Sequence, residues 1–138
     1  MKRFVLAISL VLLLIAPLYG DTIVKLSFNN EEILVRMTDS PSSRDFVAML
    51  PLTLTFEDYN NTEKISNLPE KLSTQGAPAG ITPSAGDFTY YSPWGNLAIF
   101  YKDFRYSERL VPLGRIESGL EKLTGITSDF TVKIEKAD

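Results

Sequence analysis

The side chains able to do chemistry in this chain are carboxylates, hydroxyls, phenols, amines and guanidiniums, because it contains neither histidine nor cysteine. Without His there is no Ser-His-Asp triad, most zinc sites are excluded, and the usual general base near neutral pH is missing. Without Cys there are no disulfides and no thiolate nucleophiles. What remains dense enough to make a site is aromatic. The stretch Gly86–Asp103, GDFTYYSPWGNLAIFYKD, holds the single Trp, two of the eight Phe and three of the six Tyr. Tyr91 and Trp94 flank Ser92-Pro93 in a turn, where aromatic rings at a rim line a shallow apolar pocket and keep a polar handle in water. Tyr101 ends the same run. Arg115 is placed either to charge such a pocket or to pair with Glu117 or Asp87. The expected ligand-binding residues are therefore Tyr91, Trp94, Tyr101 and Arg115. No catalytic residue, metal ligand or cofactor is assigned.

Other chemistries find less support. Glu57 and Asp58 are sequence neighbours in or after a strand, so their side chains point to opposite faces and do not make a glycosidase pair. Asp87 and Asp103 bracket the aromatic run and are expected to cap its ends. Asp58, Asn60, Asn61 and Glu63 offer oxygen ligands suited to calcium, but their spacing does not match a calcium loop and no Gly makes the turn. The expectation for Glu57–Pro69 is a solvated loop. There is no phosphate-binding Gly-rich loop and no G-x-S-x-G elbow.

The elements that must position these residues are mostly short strands. Leu97, Ile99 and Tyr101 alternate with Ala98, Phe100 and Lys102, and a segment apolar on nearly both faces belongs inside a sheet or barrel wall. Thr22–Phe28 and Glu31–Met37 read as a hairpin about Asn29-Asn30. A two-residue loop there pairs Phe28 with Glu31, Leu26 with Ile33 and Val24 with Val35, which sets the apolar partners on one face. Asp39-Ser40-Pro41-Ser42, with Asp45 three residues after Ser42, signals a helix start. That helix presents Phe46, Val47 and Leu50 and stops at Pro51. Leu52, Leu54 and Phe56 then alternate with polar residues in a third strand. Leu72–Gly86 is irregular, Gly- and Pro-rich, and reads as a surface connection or a lid over a cleft. Arg109–Ile116 reads as a strand in which Pro112 avoids a ladder position, Glu117–Leu123 as a helix ending at a left-handed Gly125, and Ser128–Glu135 as the last strand. The class is mainly β: a closed barrel capped by two short helices.

Residues 1–20 differ from the rest. Lys2 and Arg3 precede the uninterrupted apolar run Phe4–Ile15, and Pro17 and small Gly20 follow, which is the pattern of a cleaved secretory signal. The run is short of the ~20 residues a membrane span needs. The expected organisation is a signal peptide over 1–20 and one domain over 21–138, in the periplasm or secreted, with no stable membrane insertion after cleavage; the alternative is an uncleaved N-terminal anchor. Loss of Lys2 and Arg3 leaves 12 basic against 17 acidic residues, a net charge of −5, which disfavours nucleic acid as a partner.

Two segments resemble cyclophilins. LGRIESGLEKL at Leu113–Leu123 is similar to the cyclophilin strand-to-helix segment, and GDFT at Gly86–Thr89 to the run that follows the cyclophilin active-site glutamine. Taken together, GDFTYYSPWGNLAIFYKDF and the Gly-Arg-Ile-Glu-Ser-Gly run resemble the small bacterial cyclophilin-like family over nearly all of residues 22–136. The resemblance implies a cyclophilin-like barrel. It does not carry prolyl isomerase activity over, because the F-H-R-[VI] arginine that hydrogen-bonds the twisting prolyl amide is missing and Ser84 stands where the glutamine would be. Without donors aimed at the twisted state, a barrier of about 18–20 kcal/mol is little lowered. The expected function is a non-catalytic binding module with an aromatic-lined cleft for a small molecule or an extended peptide. The alternative is a divergent peptidyl-prolyl isomerase.

Overall fold

Asn29 and Asn30 take left-handed φ values of 49° and 59° and turn the chain sharply between two strands. This is the conformation a two-residue hairpin loop needs, and Asn tolerates it better than other side chains. The hairpin is the first unit of the computed structural model, which describes residues 19–137. In chain order the elements are β1 (Tyr19–Phe28), β2 (Glu31–Thr38), α1 (Pro41–Ala48), β3 (Leu52–Tyr59), β4 (Glu63–Asn67) and β5 (Gly80–Ile81). They continue with β6 (Asp87–Tyr91), β7 (Asn96–Phe100), β8 (Ser107–Glu108), β9 (Leu110–Ser118), α2 (Glu121–Thr124) and β10 (Phe130–Lys136). The β1–β2 register pairs Phe28 with Glu31, Leu26 with Ile33 and Val24 with Val35, as the sequence implies.

Eight strands close a barrel in the order β1-β10-β3-β4-β7-β6-β9-β2, and every neighbouring pair is antiparallel. β5 and β8 form a separate two-stranded ribbon. Closure removes free sheet edges, which suits strands that are apolar on their inner face. The interior holds Val24, Leu26, Ile33, Val35, Phe88 and Leu97, each fully buried. Burying a side chain of this size stabilises the fold by about 1.5–3 kcal/mol.

The helices close opposite ends. α1 lies where β2 finishes and β3 begins; its Phe46 is fully buried and meets Phe88 edge-to-face at 5.4 Å. Its N-cap is Ser40, whose hydroxyl accepts from the Ser43 amide at 3.1 Å, with Pro41 opening the helix. Ser42 instead donates to the Ser73 carbonyl at 2.5 Å, and Asp45 accepts from the Ser73 amide at 2.7 Å. The long Gly/Pro-rich connection is thus tied to α1. α2 lies at the other end, between β9 and β10, and is shorter than the sequence implies. β9 runs on to Ser118, and the left-handed glycine is Gly119 at φ +94°, whereas Gly125 has an ordinary φ of −93°.

The Gly-Arg-Ile-Glu-Ser-Gly run has a steric reason for both glycines. A Cβ on Gly114 would sit 2.4 Å from the Arg36 carbonyl oxygen, so β9 could not approach β2. At Gly119 a Cβ would sit 2.9 Å from the Glu32 carbonyl oxygen, in a backbone conformation that already disfavours a side chain. Pro112 falls where the β6–β9 register shifts, between Phe88↔Gly114 and Thr89↔Pro112, so the irregularity accommodates its missing amide.

The expected signal peptide falls mostly on residues 1–18, outside those described, and a cut after Gly20 would fall within β1. Among the described residues no helix is long and apolar enough to cross a membrane.

Candidate functional site

All five residues of β7 are buried, because this wall strand is covered on both sides. Leu97, Ile99 and Tyr101 belong to the barrel core, while Ala98 and Phe100 join Ile65 and Leu110 in a second apolar cluster on the outer face. Ile81, Tyr91 and Phe104 pack over that cluster. The segment after β7 folds back across the outside of the barrel, where Ser107 and Glu108 pair with Ile81 and Gly80.

Beside this cover lies a groove of about 410 Å³. Its floor is Phe100 and Leu110, and its walls include Tyr59, Tyr91, Trp94, Phe104 and Tyr106. That volume lies within the ~300–1,000 Å³ usual for small-molecule sites. Trp94 stands edge-to-face to Tyr91 at 5.3 Å and 82°, and to Tyr59 at 5.6 Å and 86°. The turn carrying Trp94 is fixed from both sides: the Trp94 and Gly95 amides donate to the Tyr91 carbonyl, and the Ser92 amide and hydroxyl both donate to the Arg109 carbonyl. Arg109 itself lines the groove with a left-handed φ of 62°, an uncommon backbone state for arginine.

The groove contains one half-buried carboxylate, Glu63 on β4. Burial, reinforced by the nearby Asp58 charge, pushes its pKa up to about 7. Glu63 makes no ion pair among the described residues. Arg105, Glu108 and Arg109 are exposed along the same groove, and the Arg105 guanidinium lies 5.0 Å over the Phe104 ring.

On the other side of β4, Lys64 points inward and is 1% exposed. Its ammonium donates to Asp58 at 2.9 Å and to the Ile126 carbonyl, and sits 5.0 Å over the Tyr101 ring. The Tyr101 hydroxyl donates to the same Asp58 oxygen at 2.5 Å. Burial favours a neutral Asp58, but the hydrogen bonds from Tyr101 and Lys64 outweigh it and hold the carboxyl below its ordinary range. Burial and the Asp58 acceptor push the Tyr101 phenol well up. This cluster is internally satisfied and plugs the barrel end near α2.

The structure brings Tyr91 and Trp94 together in the groove. It places Tyr101 behind the wall, in the Lys64–Asp58 cluster, and Arg115 at the far end of β6. There Arg115 donates to Asp87 and, at 3.2 Å, to the Ala85 carbonyl; Glu117 is taken by Arg36. Asp87 and Asp103 accept from the Ser84 and Ala85 amides at 2.7 and 2.8 Å, so both fasten the turn before β6. The Gly/Pro-rich connection does not line the groove, whose second wall comes from residues 104–110.

Tyr59 and Glu63 were hidden in the stretch read as a loop. The structure makes it a hairpin: Tyr59 pairs with Glu63 and Asp58 with Lys64 across a turn in which Asn60 and Asn61 have φ of 55° and 51°. The signal was present, since Asn60-Asn61 repeats the Asn29-Asn30 pair. A second cavity of about 250 Å³ between α1 and the ends of β1 and β2 has no aromatic lining, and its Arg44 and Asp39 pair with each other at 2.5 Å.

A closed antiparallel barrel with a helix at each end, carrying its groove on the outer wall, defines a cyclophilin-like barrel protein. The chain belongs to the cyclophilin-like family, whose model matches residues 26–135. A hypothetical protein from Archaeoglobus fulgidus, solved in solution, has the same fold, with a TM-score of 0.63 and 20% identity over 88% of this chain and 98% of that one. No curated protein matches the chain.

Proposed function

We propose that this protein is an exported binding module that receives a small molecule or an extended peptide in the Tyr59–Tyr91–Trp94–Tyr106 groove. One observation carries the reading. The exposed large hydrophobics among the described residues are Tyr59, Trp94 and Tyr106, at 42%, 57% and 53%, and all three line this one groove. Scattered exposed apolar residues are ordinary, whereas a cluster rimmed by charge is the mark of an interaction site. Export rests on the N-terminal charge and apolar pattern, and the acidic balance of the mature chain argues against nucleic acid.

The test is NMR on the isotope-labelled chain mixed with X-Pro peptides and small aromatic and cationic compounds, following protein shifts and peptide cis/trans exchange. Shifts clustered at Tyr59, Tyr91 and Trp94 without faster exchange are expected. Unchanged binding in a Trp94→Ala, Tyr91→Ala double variant would count heavily against the reading. The second reading, a divergent prolyl isomerase, draws on Arg105 and Arg109 beside the same rings. Accelerated exchange, lost on Arg109→Ala, would establish it.

A further inference from the structure

We propose that the corner formed by Tyr59, Trp94 and Tyr91 holds the quaternary or N-methylated ammonium of a small organic cation, with the Glu63 carboxylate as its counter-charge. This rests on the binding reading above and names its ligand class. The ring geometry is the first support. Trp94 is nearly perpendicular to both tyrosines, at 86° and 82°, so the rings of this corner are not coplanar and present no flat platform. A sugar or nucleobase asks for a flat face to stack on, while a compact alkylated cation gains from several π faces at once.

Charge is the second. Glu63 lines the same groove, is half-buried, and has no basic partner among the described residues. Asp58, the nearest acid acting on it, is already committed to Lys64 and Tyr101 behind the wall. A half-buried carboxylate beside aromatic rings is costly when ionised alone, and a cation placed against it removes that cost. A quaternary ammonium has no N–H to donate, so it needs only the carboxylate's charge and the rings. The exposed groups on the rim, Arg105, Glu108 and Arg109, sum to one net positive charge, so the ionised Glu63 is what brings the groove to neutrality, and the Arg105 charge is drawn over the Phe104 ring at 5.0 Å. The volume of about 410 Å³ admits a small molecule of this kind.

Trp94 is the chain's single tryptophan, so its fluorescence reports on this corner alone. The full chain is titrated with choline chloride and, separately, with 3,3-dimethylbutan-1-ol, the neutral carbon isostere of choline. Choline is expected to change the emission saturably and to bind about tenfold or more tighter than the isostere. Glu63→Gln should remove most of that preference, bringing the affinity for choline down toward that for the isostere. Tyr59→Leu, at the exposed end of β3, should weaken choline several-fold. Equal affinity for the two compounds, or a preference that survives Glu63→Gln, overturns the cation assignment and leaves the binding module standing. No response to either compound also overturns it. If the X-Pro peptides and aromatic compounds fail as well, the binding reading falls with it.

Discussion

Tyr59 ends β3 and Trp94 stands in the β6–β7 turn, yet their rings meet edge-to-face with centroids 5.6 Å apart on the outer wall of the barrel. The contact joins the end of β3 to the β6–β7 turn beside the groove. It costs little to remove, because both rings are exposed, Tyr59 at 42% and Trp94 at 57%. Trp94→Ala should lower stability by no more than about 1 kcal/mol, as for a surface position, while abolishing ligand binding. Urea denaturation followed by far-UV circular dichroism, set beside an NMR titration, checks both halves.

Glu63 gives a pH dependence of unusual sign for an acid. Its pKa is raised from 4.5 to about 7, so the folded chain holds a proton there that the unfolded chain has released. Its contribution to stability is fully present below about 4.5 and is lost as pH rises through about 7. Screening at a half-exposed site reduces the effect to about 1 kcal/mol. Glu63→Gln should therefore stabilise the protein by about that much above pH 7 and flatten the profile between those values. A variant whose stability difference does not change with pH would contradict this.

Ligand affinity should follow the same group in the opposite sense. A cation needs the ionised carboxylate, so its binding should strengthen as pH rises toward and past about 7 and release a proton from Glu63 in doing so. The other groups bearing on Glu63 are Asp58 and Tyr101 behind the wall, and Arg105, Glu108 and Arg109 along the groove. Calorimetric titrations in buffers of different ionisation enthalpy measure the released proton, and Glu63→Gln should release none.

Lys64 and Asp58 should respond unequally to mutation. Asp58→Ala strands a buried ammonium and should cost about 3–5 kcal/mol, whereas Lys64→Met keeps the volume, leaves Asp58 its Tyr101 hydrogen bond and some solvent, and should cost less, about 1–3 kcal/mol for the donor lost to the Ile126 carbonyl. The hydrogen bonds that hold the Asp58 carboxyl low make its contribution present above its ordinary 3.8 and lost as pH falls through the lower folded value. Denaturation midpoints of the two variants at pH 3 and pH 6 provide the comparison.

Gly114→Ala should be among the most damaging small changes in the chain. The added Cβ meets the Arg36 carbonyl oxygen at 2.4 Å, and backbone cannot yield as a flexible side chain can. A loss of about 3 kcal/mol or more is expected, read from the urea midpoint, with hydrogen exchange accelerating along β2 and β9.

The barrel was legible in the sequence because closure depends on alternation and turn chemistry, which are local. The Asn29-Asn30 hairpin could be registered to the residue, and the two-sided apolar pattern of Leu97–Tyr101 placed it in a wall. The groove was half legible. Tyr91 and Trp94 sit beside a recognisable turn, but Tyr59 and Glu63 reach it only through the β4–β7 pairing, which no local pattern displays. Acidic residues around Asn60-Asn61 mask a turn that uses the same left-handed Asn-Asn pair as Asn29-Asn30 but carries one more residue, Thr62, before the strand resumes. Tyr101 and Arg115 show the converse: proximity in sequence to an aromatic run does not say which face of a wall a side chain takes, or which end of a strand.

The second apolar cluster, on the outside of the wall, has a consequence for how this protein can change over time. The groove's floor, Phe100 and Leu110, is shared with that cluster and cannot drift without disturbing the barrel, whereas Trp94, Arg105 and Tyr106 stand on turns and loops that bear little of the packing. Floor and rim are therefore separable: one is fixed by packing and the other is not. New recognition chemistry can be installed by rewriting the rim, leaving the folding of the domain untouched.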